Sequence, residues 1–180
     1  MTSGIVLAAG AGTRLGRPKA GIVLGGERLV DRAVRVLREG GCTEVVVVVR
    51  PGVTVDGAGV VVNPEPERGM GSSLRLGLAA AAGSRAAIML VDTPGVGADA
   101  VRRVLAADAP VAIATYDGRR GHPVVIDRPL WTEVSRLAEG DQGARPFMRA
   151  HPGLVTEVPC DGDPGDIDTA PDLAEWRMRQ

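Results

Sequence analysis

The chain has 180 residues, a length suited to one domain with one sizeable core, and 44% of them are hydrophobic while only 2% are aromatic. Its 21 basic and 22 acidic residues leave a formal net charge of -1, so bulk attraction to nucleic acid or to a membrane surface is excluded. No apolar run approaches a membrane span, and Cys42 and Cys160 stand far apart without a CxxC spacing, which speaks against a zinc ribbon or a disulfide framework.

In chain order, residues 4 to 9 form a continuous apolar run, as expected of a central strand in a parallel sheet. A glycine-rich loop follows, in which Gly10, Gly12 and Gly16 accompany Arg14 and Lys19 with no carboxylate among them. Glycines let backbone amides approach a ligand closely, and two cations beside them suit the oxygens of a polyphosphate. A dinucleotide-binding turn would start a helix within the glycine fingerprint, but Arg17-Pro18-Lys19 interrupts there. A Walker loop would need Gly-Lys-Ser or Gly-Lys-Thr, which the chain does not contain.

Leu29, Ala33, Val34 and Leu37 recur at helical spacing and predict a crossover helix, followed by a strand over 44–49. The segment 51–59 is too short and too rich in glycine and proline for another crossover helix, so a trimmed connection near a sheet edge is expected. Ser72 is placed to cap a helix carrying Leu74, Leu78 and Ala81. A strand over 86–91 then ends at Asp92, where a doubly wound sheet would open its ligand crevice. A helix over 98–107, a strand over 111–115, a turn over 116–121 and a strand over 123–126 come next. Short helices over 131–138 and 145–150 and a late strand over 154–158 complete the pattern. Nothing marks a second domain, so residues 1–180 are expected to form one.

Several short motifs occur in order: Leu7 to Lys19, Asn63-Pro64 with Gly69 to Leu74, Val91-Asp92-Thr93-Pro94, Gly121-His122-Pro123-Val124, Gly140 to Arg145, and Asp166-Ile167-Asp168-Thr169. Together they resemble the MobA-like nucleotidyltransferases, and the last three are most similar to the molybdenum cofactor cytidylyltransferase branch. Two features depart from that pattern: Val91 stands where many relatives carry glycine, and the segment 51–59 is short.

The resemblance implies a three-layer α/β/α, Rossmann-like sheet, mostly parallel with an antiparallel strand, of the nucleotide-diphospho-sugar transferase type. It implies transfer of a nucleoside monophosphate from an NTP, CTP first, to a phosphorylated acceptor, molybdopterin first, with release of pyrophosphate. Leu7, Ala8, Ala9, Gly10, Gly12, Thr13, Arg14, Asn63, Gly71 and Ser72 become the nucleotide-binding candidates. Lys19, His122, Asp141 and Arg145 become the acceptor-binding candidates, although Asp141 could instead cap the helix that contains Arg145. Asp92 and Asp168, with Asp166 as a neighbour, match the metal positions for Mg²⁺, which favours one or two carboxylates plus substrate oxygens. Arg14, Lys19, Asp92 and Asp168 are then the catalytic set.

Two alternatives stand beside this reading. One is a sugar-phosphate or guanylyl nucleotidyltransferase, and the other a nucleotide-binding regulatory module without turnover. A cytoplasmic monomer is the default expectation, with a molybdoenzyme or its chaperone as the protein partner that the resemblance suggests.

Overall fold

The computed structural model describes residues 1–180. Strand β1 (Thr2–Ala8) enters the centre of the molecule, and the glycine-rich loop follows it. A small hairpin of β2 (Val23–Leu24) and β3 (Glu27–Arg28) leads into α1 (Leu29–Glu39). Then come β4 (Glu44–Val49), β5 (Gly59–Val62), α2 (Met70–Ala80), β6 (Arg85–Leu90) and α3 (Ala98–Ala106). The chain continues with β7 (Val111–Tyr116), β8 (Arg119–Asp127), α4 (Trp131–Leu137), α5 (Arg145–Ala150), β9 (Val155–Pro159) and α6 (Ala170–Met178).

Seven strands form one sheet in the order β5-β4-β1-β6-β8-β7-β9. All neighbours are parallel except β8, which runs antiparallel to both β6 and β7. Side chains alternate across a strand, and β1 shows the consequence: Val6 and Ala8 join the core under α1, α3 and α6, while Ile5 and Leu7 join the core under α2, α4 and α5. This is the three-layer α/β/α arrangement that the resemblance implied. Strand order reverses beside β1, since β4 and β5 lie on one side of it and β6 on the other. The crevice beyond the carboxyl ends of β1 and β6 is therefore the topological switch point.

Two local features fix the layers. Helix α2 presses so closely on β1 that a Cβ at Gly77 would stand 2.7 Å from Ile5 Cγ2. At the opposite end of the sheet from the crevice, Arg85 of β6 donates to Asp127 at 2.8 Å and to the carbonyl oxygens of Leu105, Ala107 and Ala109. One guanidinium thus joins β6, β8 and the segment after α3.

The structure refines the expected elements in three places. The turn expected over 116–121 is only two residues, because Asp117 (φ 51°) and Gly118 (φ 79°) supply the positive φ angles that a tight hairpin needs, so Arg119 and Arg120 belong to β8. The trimmed connection after β4 does lead to a sheet edge, and that edge is a strand, β5, whose valines gave too short a run to be read as one. Thr169 caps the last helix, α6: its side chain accepts from the Asp172 amide while Asp172 accepts in return.

Candidate active site

The glycine-rich loop folds back on itself through hydrogen bonds from the amides of Leu15 and Arg17 to the Gly12 carbonyl. Gly12 has φ 63°, and a Cβ there would sit 1.8 Å from the Arg17 carbonyl oxygen, so only glycine closes this turn. The loop delivers Lys19, the chain's single lysine, to the switch point. Its Nζ lies 2.8 Å from Asp92 Oδ2 and 3.2 Å from Asp168 Oδ1, and Arg14 donates to the other oxygen of Asp168. Asp92 stands two residues beyond β6, while the backbone amide of Ile167 donates to the Asp92 carbonyl and draws the segment carrying Asp168 alongside.

Electrostatics separate the two carboxylates. Burial raises the Asp92 pKa above the ordinary carboxylate range, outweighing Lys19, and nearby Asp166 pushes in the same direction. Asp168 is more open, and hydrogen bonds from Lys19 and then Arg14 hold its pKa below that range. Burial opposes the charge on Lys19, but the hydrogen bond and charge of Asp92, then those of Asp168, together raise its pKa.

Asp92 Oδ1 is buried and accepts no hydrogen bond, the one side-chain polar atom in the protein in that state. An unpaired buried carboxylate oxygen is costly, and a cation is the partner that removes the cost. Two carboxylates converging on one ammonium, one of them with a free oxygen, fit a hard divalent ion that completes its shell from substrate and water. No group of three or more His, Cys, Asp or Glu side chains is arranged to hold a metal. Asp166, the neighbouring candidate, lines the adjoining cavity, and its charge reaches Asp92.

A second cluster stands at the start of α2. Asn63, almost fully buried, donates to Ser72 Oγ at 2.9 Å and to Ser73 Oγ at 3.0 Å, and Ser72 Oγ donates to the Gly69 carbonyl. The Gly71 amide donates to Gly140, and Asp141 accepts from the Met70 amide at 3.3 Å. Asp141 therefore caps α2 from a distant loop and does not cap α5, because the 139–144 loop folds over the start of α2. Beside β1, Arg50 donates to the Ala9 carbonyl at 3.2 Å, a contact that no sequence pattern announced.

Between β6, β8, α2 and α5 lies a cavity of about 580 Å³. Its floor is apolar, with Leu7, Leu74, Ile88, Ile113 and Val124, and Met70 and Met148 add flexible thioethers. Thr93 and Asp166 mark its boundary with the lysine and carboxylate cluster, while His122, Asp141 and Arg145 stand on its wall. Burial, and then the charge of Arg145, lower the His122 pKa to about 4, so its imidazole is neutral at pH 7. The sequence candidates thus fall into two neighbouring groups: Arg14, Lys19, Asp92 and Asp168 in one, and His122, Asp141 and Arg145 in the other. Arg119, Arg120 and Arg149 also line the cavity and were not singled out in the sequence, since their nearness depends on the β7–β8 hairpin and on α5.

Known proteins share this architecture. Residues 4–155 match the model of the MobA-like NTP transferase domain. The chain is 40% identical to nicotine blue oxidoreductase of Paenarthrobacter nicotinovorans, over 93% of this chain and 92% of that protein. It is 34% identical to a probable molybdenum cofactor guanylyltransferase of Opitutus terrae, over 82% and 78% respectively. Among solved structures, the manganese complex of Rv0371C from Mycobacterium tuberculosis H37Rv superposes with a TM-score of 0.82 at 26% identity, covering 98% of each chain. The fold is of the nucleotide-diphospho-sugar transferase type.

Proposed function

The chain belongs to the MobA-like NTP transferase family, and on that premise we propose that it transfers a nucleoside monophosphate from an NTP to a phosphorylated acceptor, releasing pyrophosphate. The observation that carries the reading is the Lys19, Asp92 and Asp168 cluster at the switch point, with an unpaired buried oxygen on Asp92.

An acceptor phosphate oxygen attacks the α-phosphorus in line, a P–O bond forms, and the bond to the bridging oxygen of pyrophosphate breaks. A phosphomonoester is already ionised, so no enzyme nucleophile or general base is needed, and positioning with electrostatics does the work. Loop amides around Gly10, Gly12 and Thr13, with Arg14, hold the leaving phosphates. Lys19 neutralises the α-phosphate or the incoming one. Leu7, Ala8 and Ala9, with Asn63, Gly71 and Ser72 across the crevice, bound the base and sugar. Asp92 and Asp168 would hold Mg²⁺ or Mn²⁺, which supplies charge neutralisation on the phosphates. Lys19 and Arg14 pair with those same carboxylates, so an ion held by Asp92 and Asp168 would free both cations to face phosphate.

The base is a choice between cytosine and guanine. The motifs around His122 and Asp141 favour CTP, whereas the relative from Opitutus terrae carries the name guanylyltransferase. Molybdopterin is the first acceptor to test. A second reading, an oxidoreductase acting on a flat dye, is favoured by the 40% identity to nicotine blue oxidoreductase.

Phosphorus NMR of the protein with each NTP, Mg²⁺ and molybdopterin or sugar 1-phosphates separates the readings. The proposal expects pyrophosphate and a nucleotide–acceptor product in equal amounts. Pyrophosphate with none of these pairs, together with dye reduction driven by a hydride donor such as a reduced nicotinamide, would replace it with the second reading.

A further inference from the structure

Arginine is abundant in this protein, and almost every guanidinium has an intramolecular partner. Only Arg17, Arg119 and Arg145 make neither an ion pair nor a side-chain hydrogen bond; the other arginines meet carboxylates, carbonyls or, for Arg149, the Gln142 side chain. Arg17 lies in the glycine-rich loop and does not line that cavity. Arg119, at the start of β8, and Arg145, at the start of α5, come from distant parts of the chain and line the same cavity.

The acidic groups around that cavity make no ion pair with either guanidinium, and only Asp163 feels the charge of Arg119. Asp141 is engaged by the Met70 amide, and Asp163 by Arg179 and the Gly165 amide. Asp166 makes no ion pair and adds its charge to the side of Asp92. His122, kept neutral first by burial and then by the charge of Arg145, lines the same cavity. Lys19, Arg14, Asp92 and Asp168, where transfer would occur, are not part of the cavity lining.

We propose that Arg119 and Arg145 form an anion subsite of the acceptor cavity, taking a carboxylate or phosphate of the acceptor other than the phosphate that reacts. The acceptor is then an organic molecule with two anionic ends and an apolar, flat middle lying over Ile88, Ile113 and Val124. Calling the ligand the acceptor rests on the nucleotidyl-transfer reading; the anion subsite itself does not.

The test uses 2-naphthoate as a probe that combines a flat apolar body with one carboxylate, beside 2-naphthol and acetate, which each lack one part. Binding is followed by NMR of methionine methyl groups, since Met70 and Met148 line the cavity and the chain has only five methionines. Their signals are assigned with Met70→Leu and Met148→Leu. The expected result is a saturable shift of both signals by 2-naphthoate, weakened about tenfold by Arg119→Gln and by Arg145→Gln, with weaker effects from 2-naphthol and acetate. Unchanged methyl spectra of Met89, buried in the other core, show that the variants fold. Saturating Mg²⁺ and nucleotide should leave the binding in place. Equal binding of 2-naphthol, full affinity in both arginine variants, or displacement of 2-naphthoate by Mg²⁺ and nucleotide would overturn the subsite. Failure of nucleotides to bind while 2-naphthoate still does would remove only the name acceptor.

Discussion

The single lysine carries charge where the chain needs it, and its two carboxylate partners differ in environment. Asp92→Asn and Lys19→Gln should each lower turnover on the order of 10²-fold or more while far-ultraviolet circular dichroism stays unchanged, since in the proposed transfer both would act on charge at the reacting phosphates. His122 gives a prediction of definite sign. Its folded pKa of about 4 lies below the ordinary histidine value of 6.5, so between these values the unfolded chain binds more protons than the native one. Stability from keeping His122 neutral is therefore complete above about pH 6.5 and is lost as pH falls towards 4. Thermal midpoints should fall across that window, and His122→Asn should remove part of the fall. Arg14, Lys19 and Asp92 were legible in the sequence because a strand end and a glycine loop place them by local rules. Asp141 was also picked out by its motif and lines the cavity, but its backbone partner, the Met70 amide 71 residues away, was not legible, because only tertiary folding decides which helix it caps.

Elements show the same division between local and distant causes. Strand β4 and helix α1 were readable from apolar runs and helical spacing, as both pack where the pattern says they must. Strand β5 was hidden because an edge strand with exposed valines lacks the bounded apolar run of a central one. The hairpin of β7 and β8 is longer than expected because Asp117-Gly118 turns the chain in two residues, and that extension is what carries Arg119 to the cavity. At the start of α6, Thr169→Ala should cost about 1 kcal/mol by removing one half of a reciprocal cap, read as a lower denaturation midpoint with an unchanged slope. Within α2, Gly77→Val should cost about 1–3 kcal/mol, since its side chain must displace Ile5 from the centre of the sheet.

At the scale of the molecule, the doubly wound sheet brings the glycine loop, the turn after β6 and the segment before α6 to one crevice, although they are far apart in sequence. The family resemblance anticipated that convergence; the cavity beside it, framed by β8 and α5, became visible only when the antiparallel strand took its place. Treated as one domain, residues 1–180 should unfold in a single transition in which circular dichroism and tryptophan fluorescence coincide. In the proposed transfer, metal and nucleotide share the Lys19, Asp92 and Asp168 cluster. The most direct measurement is the thermal midpoint of the wild type and of Asp92→Asn with CTP or GTP, with and without Mg²⁺ or Mn²⁺. Nucleotide and metal together should raise the wild-type midpoint by roughly 5–10 °C at a hundredfold excess over Kd, more than the sum of either alone, and Asp92→Asn should lose the metal-dependent part. No shift with any nucleotide in the presence of metal, or an equal shift in Asp92→Asn, would contradict it.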